Sequence, residues 1–280
     1  MKKLPPFKNE PFQDFSKKPV ADKLRAALKS VRASFGREYP LIIGGREVKS
    51  EQKITSINPS NKSEVIGVFQ KATAEQAQQA VEVAHKAFQS WRYEPVDKRV
   101  ERMLKVAKIM RQRKNELTAW CILEAGKTWP EADADVAEAI DFAEWYAREA
   151  LRVCRPQPTH PFPGEKPEQV FIPLGVVAVI PPWNFPSAIL AGMTFAALVG
   201  GNTVVLKPSS ETPAIGWQVA KILMEAGFPD GVINFVPGGG ATAGNAMVEH
   251  PKTRLIAFTG SMEVGLDIVQ RAAVTQPGQI

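Results

Sequence analysis

Residues 175–186, GVVAVIPPWNFP, constrain the fold of this chain more than any other stretch. The apolar run at residues 176–180 is rich in β-branched side chains, which predicts a strand buried on both faces of a parallel sheet. Pro181-Pro182 ends this strand because proline has no backbone N–H for the sheet. An apolar helical stretch then follows at residues 187–199. The stretch therefore predicts a strand, a proline turn and a helix.

Trp183 and Asn184 come directly after this strand, at its carboxyl end. Open α/β sheets bind their ligands at that edge. The amide of Asn184 can donate hydrogen bonds to a substrate oxygen, or it can satisfy the backbone of its own turn. The residues alone leave both interpretations open.

The alternation of strand and helix continues after residue 186. The predicted strands are residues 176–180, 203–207, 232–236 and 255–258. Strands separated by helices are typical of parallel sheets with right-handed crossovers. We therefore predict an α/β fold with a Rossmann-type parallel sheet in residues 175–280.

Two glycine-rich turns and one lysine favour a dinucleotide site. Residues 238–244 and 259–261 each join a strand to a helix, and such turns offer backbone N–H groups and a helix dipole to a pyrophosphate. Lys207 ends an apolar strand and places a cation at the same edge. The Gly-x-Gly-x-x-Gly fingerprint after the first strand is absent. Each signal alone is common, but their combination favours a dinucleotide.

The N-terminal part predicts an arm, a hairpin and helices that pack on this sheet. Residues 1–16 are rich in proline and aromatic residues, and Gly44-Gly45 between short apolar runs predicts a hairpin. Further elements are predicted as a helix at 17–35, a strand at 53–57, a helix opened by the Thr73–Gln76 capping box, and helices at 96–125 and 129–154. The predicted organisation is a packing region at 1–154, an extended linker at 155–174 and the sheet at 175–280.

Composition narrows the class of protein. Of the 280 residues 44% are hydrophobic and 23% charged, and the net charge of +6 comes from lysines and arginines spread along the chain. No basic run alternates with aromatic residues, which argues against a nucleic-acid site. No signal peptide or membrane span is evident. The two cysteines, Cys121 and Cys154, lie in predicted helices, which indicates reduced thiols and not a disulfide framework. We expect a soluble, cytoplasmic protein.

The predicted helix at 129–154 carries an acidic run that invites a metal interpretation: Glu131, Asp133, Asp135, Glu138, Asp141 and Glu144. Their spacing scatters them around the helix and no histidine accompanies them. We therefore predict a solvated face and no metal site.

Several motifs together resemble the aldehyde dehydrogenase superfamily: PWNFP, VVLKPSSETP, FVPGGGATAG and FTGSMEVG, in this order, with PLIIGGREV and INPSNKSEVIG before them. The likeness covers essentially the whole chain. The arm sequence FKNEPFQDF is similar to that of the 1-pyrroline-5-carboxylate dehydrogenases within this superfamily. The resemblance implies an aldehyde dehydrogenase-like fold, an NAD cofactor and a homo-oligomer whose linker forms an oligomerisation hairpin.

The resemblance also implies site residues. Asn184 would stabilise the substrate oxyanion. The implied cofactor-binding residues are Ile180, Pro181, Pro182, Trp183, Lys207, Ser209, Ser210, Gly240, Gly244, Phe258, Thr259, Gly260, Ser261 and Val264. Glu124, in a Glu-x-Gly-Lys motif, is a candidate for substrate contact, and the alternative is a helix end with a salt-linked surface. Ser210 stands where many members have a ribose-binding glutamate, so NADP can also be accepted.

In the family the nucleophilic cysteine and the general-base glutamate lie further along, and this sequence reaches Gly278-Gln279-Ile280 without either motif. The resemblance thus implies that the catalytic domain is absent from this chain. The expected activity of the parent enzyme is the oxidation of L-glutamate γ-semialdehyde, the open form of 1-pyrroline-5-carboxylate, to glutamate. The alternatives are a dehydrogenase for another aldehyde and a non-catalytic dinucleotide-binding module.

Overall fold

The computed structural model describes residues 4–275. The outermost residues of the predicted regions, among them Gly278-Gln279-Ile280, lie outside the described residues. The first half of the chain contains α1 (Lys18–Arg32), β1 (Glu38–Tyr39), β2 (Leu41–Ile43), β3 (Arg46–Val48), β4 (Lys53–Asn58), β5 (Asn61–Gln70), α2 (Ala74–Trp91), α3 (Val96–Gln112), α4 (Lys114–Ala125) and α5 (Trp129–Val153).

The second half begins with two short strands, β6 (Gln157–Pro158) and β7 (Glu168–Gln169). It continues with β8 (Val176–Ile180), α6 (Ala188–Val199), β9 (Thr203–Leu206), α7 (Pro213–Glu225), β10 (Ile233–Phe235), a π-helical turn (Gly240–Gly244), α8 (Asn245–Val248), β11 (Thr253–Phe258) and α9 (Met262–Thr275).

The main sheet has six strands in the order β11-β8-β9-β10-β2-β3. The predicted parallel pairing of the four strands β8, β9, β10 and β11 is confirmed: β8 pairs with β9 and with β11, and β9 pairs with β10. All five residues of β8 are buried. The β2–β3 hairpin does more than pack on this sheet, because β2 pairs antiparallel with β10 where Ile42 faces Phe235. The sheet is therefore mixed, and the first half of the chain completes the sheet of the second half.

The hairpin itself follows the sequence closely. Gly44 and Gly45 have φ angles of +63° and +75°, a region that favours glycine and that two-residue hairpin turns require. The capping box of α2 is also present, since Gln76 N donates to Thr73 Oγ1 over 3.2 Å and Thr73 N donates to Gln76 Oε1 over 3.0 Å. Both features are local, and both were predicted.

Three elements differ from the sequence prediction. The predicted helix at 96–125 is two helices that meet at Arg113 (φ −103°, ψ 16°). The sequence does not show this break because apolar residues continue on both sides of it. The strand at 61–70 was missed, because its first three residues are exposed and polar and hide the alternation. In the linker, predicted as extended chain, Glu168–Gln169 pairs with Gln157–Pro158 in a two-stranded sheet.

The prediction of a solvated acidic face on α5 is wrong for Asp133 and Asp135, which are each 1% exposed. Asp133 accepts hydrogen bonds from the backbone N and the side-chain Nε2 of Gln13, both over 2.7 Å. These bonds hold the N-terminal arm against α5. Within residues 4–275 there is no group of three or more His, Cys, Asp or Glu side chains that could hold a metal ion. None of the helices in this range is long and apolar enough to cross a membrane.

Candidate functional site

The turn between β8 and α6 presents Asn184 at the carboxyl edge of the main sheet. Pro181 is buried and Pro182 is half-buried, while Trp183 and Asn184 are exposed, Trp183 to 58%. Apolar burial of β8 and the two prolines thus fix the start of the turn and leave its tip open to a ligand.

Lys207 follows β9 and is the buried cation of the site, with 6% of its surface exposed. Its Nζ donates to the carbonyl oxygens of Pro208 over 3.2 Å and Gly238 over 3.4 Å. Burial lowers the pKa of Lys207 to about 8. In the described part of the chain no carboxylate forms an ion pair with it, so the ammonium is available to an oxygen-rich ligand.

A cleft of about 310 Å³ opens beside Lys207, a size typical of small-molecule pockets. It brings together five of the predicted cofactor residues: Ile180, Lys207, Gly240, Gly244 and Val264. Asp267 and Arg271 of α9 also line it, and Arg271 Nε donates to Asp267 Oδ2 over 2.8 Å. The sequence analysis missed these two residues, which carry no motif signal. The cleft has an apolar wall and charged groups at its rim.

The glycine-rich turn at 238–244 lines this cleft through Gly240 and Gly244, and the turn at 259–261 precedes Val264, which also lines it. A Cβ atom at Gly240 would meet nothing within 4 Å, so the backbone there is open to close approach. Ser261 Oγ accepts from Val264 N over 3.3 Å and caps the first turn of α9. Thr259 N donates to Ile180 O over 3.3 Å, which joins this turn to the end of β8.

Other predicted residues lie outside the 310 Å³ cleft. Phe258 lines a separate apolar groove of about 570 Å³ between β11 and α9, and its ring lies where a Cβ at Gly260 would need space. Ser210 Oγ donates to Gly238 O over 3.4 Å, and Ser209 Oγ accepts from Glu211 N over 3.3 Å. The position three residues after Lys207 is therefore neutral in the folded chain.

Glu124 is buried, with 3% of its surface exposed, so the alternative of a salt-linked surface is wrong. Its carboxylate accepts from Ser56 Oγ over 2.7 Å and from the backbone N of Ala214 and Ile215, each over 2.8 Å. Burial raises the pKa of Glu124 to about 7. Both carboxylate oxygens are engaged at the start of α7, which gives Glu124 a structural role. Glu124 also lines a cleft of about 490 Å³ together with Trp183, so the substrate contact stays a prediction.

Two charged residues beside the Asn184 turn were missed as site residues. Lys127 Nζ lies 3.0 Å from Asp135 Oδ2, and Asp135 Oδ1 accepts from the backbone N of Ala188 over 2.7 Å. Both residues belong to features noted in the sequence. Lys127 is the last residue of the Glu-x-Gly-Lys motif, and Asp135 is a member of the acidic run on α5. Only the fold brings them together at the start of α6.

The order of strands, the lysine after β9 and the asparagine turn after β8 define an α/β fold of the aldehyde dehydrogenase type. The sequence profile of the Aldehyde dehydrogenase family matches residues 46–278. The chain belongs to this family, and the resemblance seen in its motifs is confirmed.

Individual relatives are more specific. A Geobacillus thermodenitrificans protein named 1-pyrroline-5-carboxylate dehydrogenase is 53% identical over 98% of this chain and 53% of its own length. A 1-pyrroline-5-carboxylate dehydrogenase from Thermus, solved with bound NAD, has a TM-score of 0.95 at 48% identity and covers 99% of this chain and 54% of its own. Proline utilization A from Bdellovibrio bacteriovorus has a TM-score of 0.95 at 44% identity, over 100% of this chain and 29% of its own. The chain spans about half the length of the curated relatives it matches.

Proposed function

We propose that this chain is the cofactor-binding part of an NAD(P)-dependent dehydrogenase that oxidises L-glutamate γ-semialdehyde to glutamate. The observation that carries the proposal is the buried ammonium of Lys207 beside the 310 Å³ cleft, at the same sheet edge as Asn184. A buried cation whose bonds go only to carbonyl oxygens fits a ligand with many oxygen acceptors. The relatives named 1-pyrroline-5-carboxylate dehydrogenase support the choice of substrate.

In this proposal some residues bind the cofactor and Asn184 binds the substrate. A bound NAD(P)+ would supply the hydride acceptor. Lys207 would donate to its ribose hydroxyls, and the turn at 259–261 with the first N–H groups of α9 would face the pyrophosphate. Asn184 would donate to the substrate oxygen as negative charge develops on it, a contribution worth about 10²–10³ in rate where such a donor has been removed.

NAD is the expected cofactor, and NADP use is expected beside it. The relative from Thermus that was solved with NAD supports the first expectation. The neutral Ser210 supports the second, because no carboxylate stands three residues after Lys207 to repel a 2′-phosphate.

The test compares residues 1–280 alone with the complete enzyme that carries them, by NADH formation from glutamate γ-semialdehyde. We expect turnover by the complete enzyme and none by the 280 residues. Cys121 is fully buried, and burial raises its pKa well above the usual range, so it is a poor nucleophile. Turnover of a different aldehyde only would favour the alternative substrate, and cofactor binding without any turnover by the complete enzyme would favour the non-catalytic module.

We also infer a cytoplasmic location and a homo-oligomeric assembly. The free cysteines Cys121 and Cys154 support the first. The exposed apolar side chains Val170, Phe171 and Ile172, which follow β7, support the second. Sedimentation at several protein concentrations tests the assembly.

A further inference from the structure

The Glu-x-Gly-Lys segment has a second role besides the cap that Glu124 makes. Gly126 ends α4 with a φ angle of +67°, and its N donates to Ile122 O over 3.1 Å. This left-handed residue reverses the chain between α4 and α5. As a result, Lys127 leaves the helix end and points back toward the turn between β8 and α6.

The ammonium of Lys127 lies between a carboxylate and an aromatic ring. Its Nζ is 3.0 Å from Asp135 Oδ2 and 4.1 Å from the centroid of the Phe185 ring. The side chain of Lys127 is 12% exposed and that of Asp135 is 0% exposed. The ion pair therefore acts away from water, where it is least screened, whereas the Phe185 ring is 42% exposed and its contact with the ammonium is partly open to solvent.

These contacts hold the Asn184 turn from both sides. Phe185 is the residue directly after Asn184, and Ala188, whose N–H donates to Asp135, begins α6. The N-cap residue Ser187 makes no side-chain cap of its own. Asp135 therefore takes the place of the cap, and Lys127 neutralises the buried carboxylate that does so.

We propose that Lys127 is a positioning residue for Asn184, acting through Phe185 and through Asp135. This inference rests on the proposed function, because Asn184 needs a developing oxyanion in order to act. The placement of a donor matters to about 1 Å, since a shift of that size can cost on the order of 10²-fold in rate. Lys127 would thus affect the chemical step without touching substrate or cofactor.

The kinetic test is a double-mutant cycle in the complete enzyme. We expect Lys127→Met to lower kcat about 10- to 100-fold with unchanged cofactor affinity in calorimetry. In an Asn184→Ala background the same substitution should cost little, because the donor that it positions is gone. Lys127→Arg keeps the charge and should recover much of the loss. An equal loss in both backgrounds, or no loss at all, would overturn the inference.

A second measurement does not depend on activity. Hydrogen exchange of the backbone amides at 184–188 should become faster in Lys127→Met, because the turn loses its brace. The control is Lys98→Met, which removes a 2.9 Å ion pair with Glu101 on the exposed face of α3, and it should leave these amides unchanged. Unchanged exchange in Lys127→Met would also overturn the inference. An inactive wild-type enzyme with faster exchange in the variant would instead contradict the proposed function alone.

Discussion

The carboxylate of Glu124 accepts a hydrogen bond from the backbone N of Ala214 over 2.8 Å and thereby joins the end of α4 to the start of α7. Thr212 is the N-cap residue of α7, but its side chain makes no capping bond. The turn from Lys207 to α7 is therefore braced by a helix that is distant in sequence. Five of the predictions below depend on this edge of the sheet, and the one on Asp133 depends on the N-terminal arm.

The first prediction concerns Glu124→Gln. A glutamine keeps the shape but presents an amide donor to a backbone donor, and a buried donor without a partner costs about 1–3 kcal/mol. We expect a loss of this size in the free energy of unfolding at pH 4.5, measured with urea. A loss below a few tenths of a kcal/mol would mean that the cap is dispensable.

The second prediction is the pH dependence of that difference. The folded pKa of Glu124, about 7, lies above its ordinary value near 4.5, so the folded state binds the extra proton between these pH values. The contribution of Glu124 to stability is then full below pH 4.5 and is lost as pH rises to 7, by on the order of 3 kcal/mol. The difference in unfolding free energy between wild type and Glu124→Gln should therefore close or change sign over this range. Glu101→Gln, which neutralises an exposed carboxylate in the same way, is the matched control.

The third prediction is that Lys207→Ala weakens NAD binding by about 1–3 kcal/mol, the range for a hydrogen bond that involves a charged group. Calorimetry measures the effect. The substitution also removes a buried cation, so a stable fold in thermal unfolding is the control. Unchanged affinity would show that Lys207 does not contact the cofactor.

The fourth prediction uses the fact that the pKa of Lys207 is about 8 because of burial. An anionic cofactor favours the ammonium form, so binding at pH 8 to 9 should take up protons, and affinity should fall as pH rises through this range. Calorimetry in two buffers of different ionisation enthalpy counts the protons. We expect Lys207→Met to abolish the uptake, and uptake that persists in this variant would assign it to another group.

The fifth prediction is that the N-terminal arm contributes to stability and not to cofactor binding. Asp133→Ala removes the acceptor of two arm bonds and leaves Lys114, 3.4 Å away with 9% of its side chain exposed, without this partner. Breaking a buried pair costs about 3–5 kcal/mol when the remaining charge has no other partner. Lys114 keeps the carbonyl oxygen of Pro11 at 2.7 Å and Glu10 at 3.9 Å, so the cost here should lie below that range. We expect a lower urea midpoint with unchanged NAD affinity. Asp133→Asn keeps an acceptor for Gln13 and should lose less.

The sixth prediction concerns cofactor choice and the neutral position at Ser210. Placing a carboxylate there with Ser210→Glu should select against NADP+ because the charge opposes a 2′-phosphate. The matched comparison is Glu211→Gln, one residue along and exposed, which should change the ratio of the two affinities little. Complete rejection of NADP+ by the wild type would show that Ser210 does not govern the choice.

The sequence by itself determined the features whose causes are local. The β-branched run of β8 has no favourable place except a buried strand, and the two prolines must end it. Gly44-Gly45 supplies the left-handed residues of a hairpin turn, and Thr73 with Gln76 caps α2 through neighbours three residues apart. Each of these outcomes requires only contacts within a few residues, which the order of the side chains already contains.

Only the tertiary structure decided which charged residues are buried and what they hold. Glu124 meets Ala214 across 90 residues, and Asp135 meets Ala188 across 53. In the sequence both carboxylates look like surface charges, since an acidic residue on a helix is normally solvated. Folding makes their burial favourable because each finds backbone N–H groups at the start of another helix, groups that would otherwise lack partners. The partners of a buried charge depend on how the helices pack, and a local pattern does not record that packing.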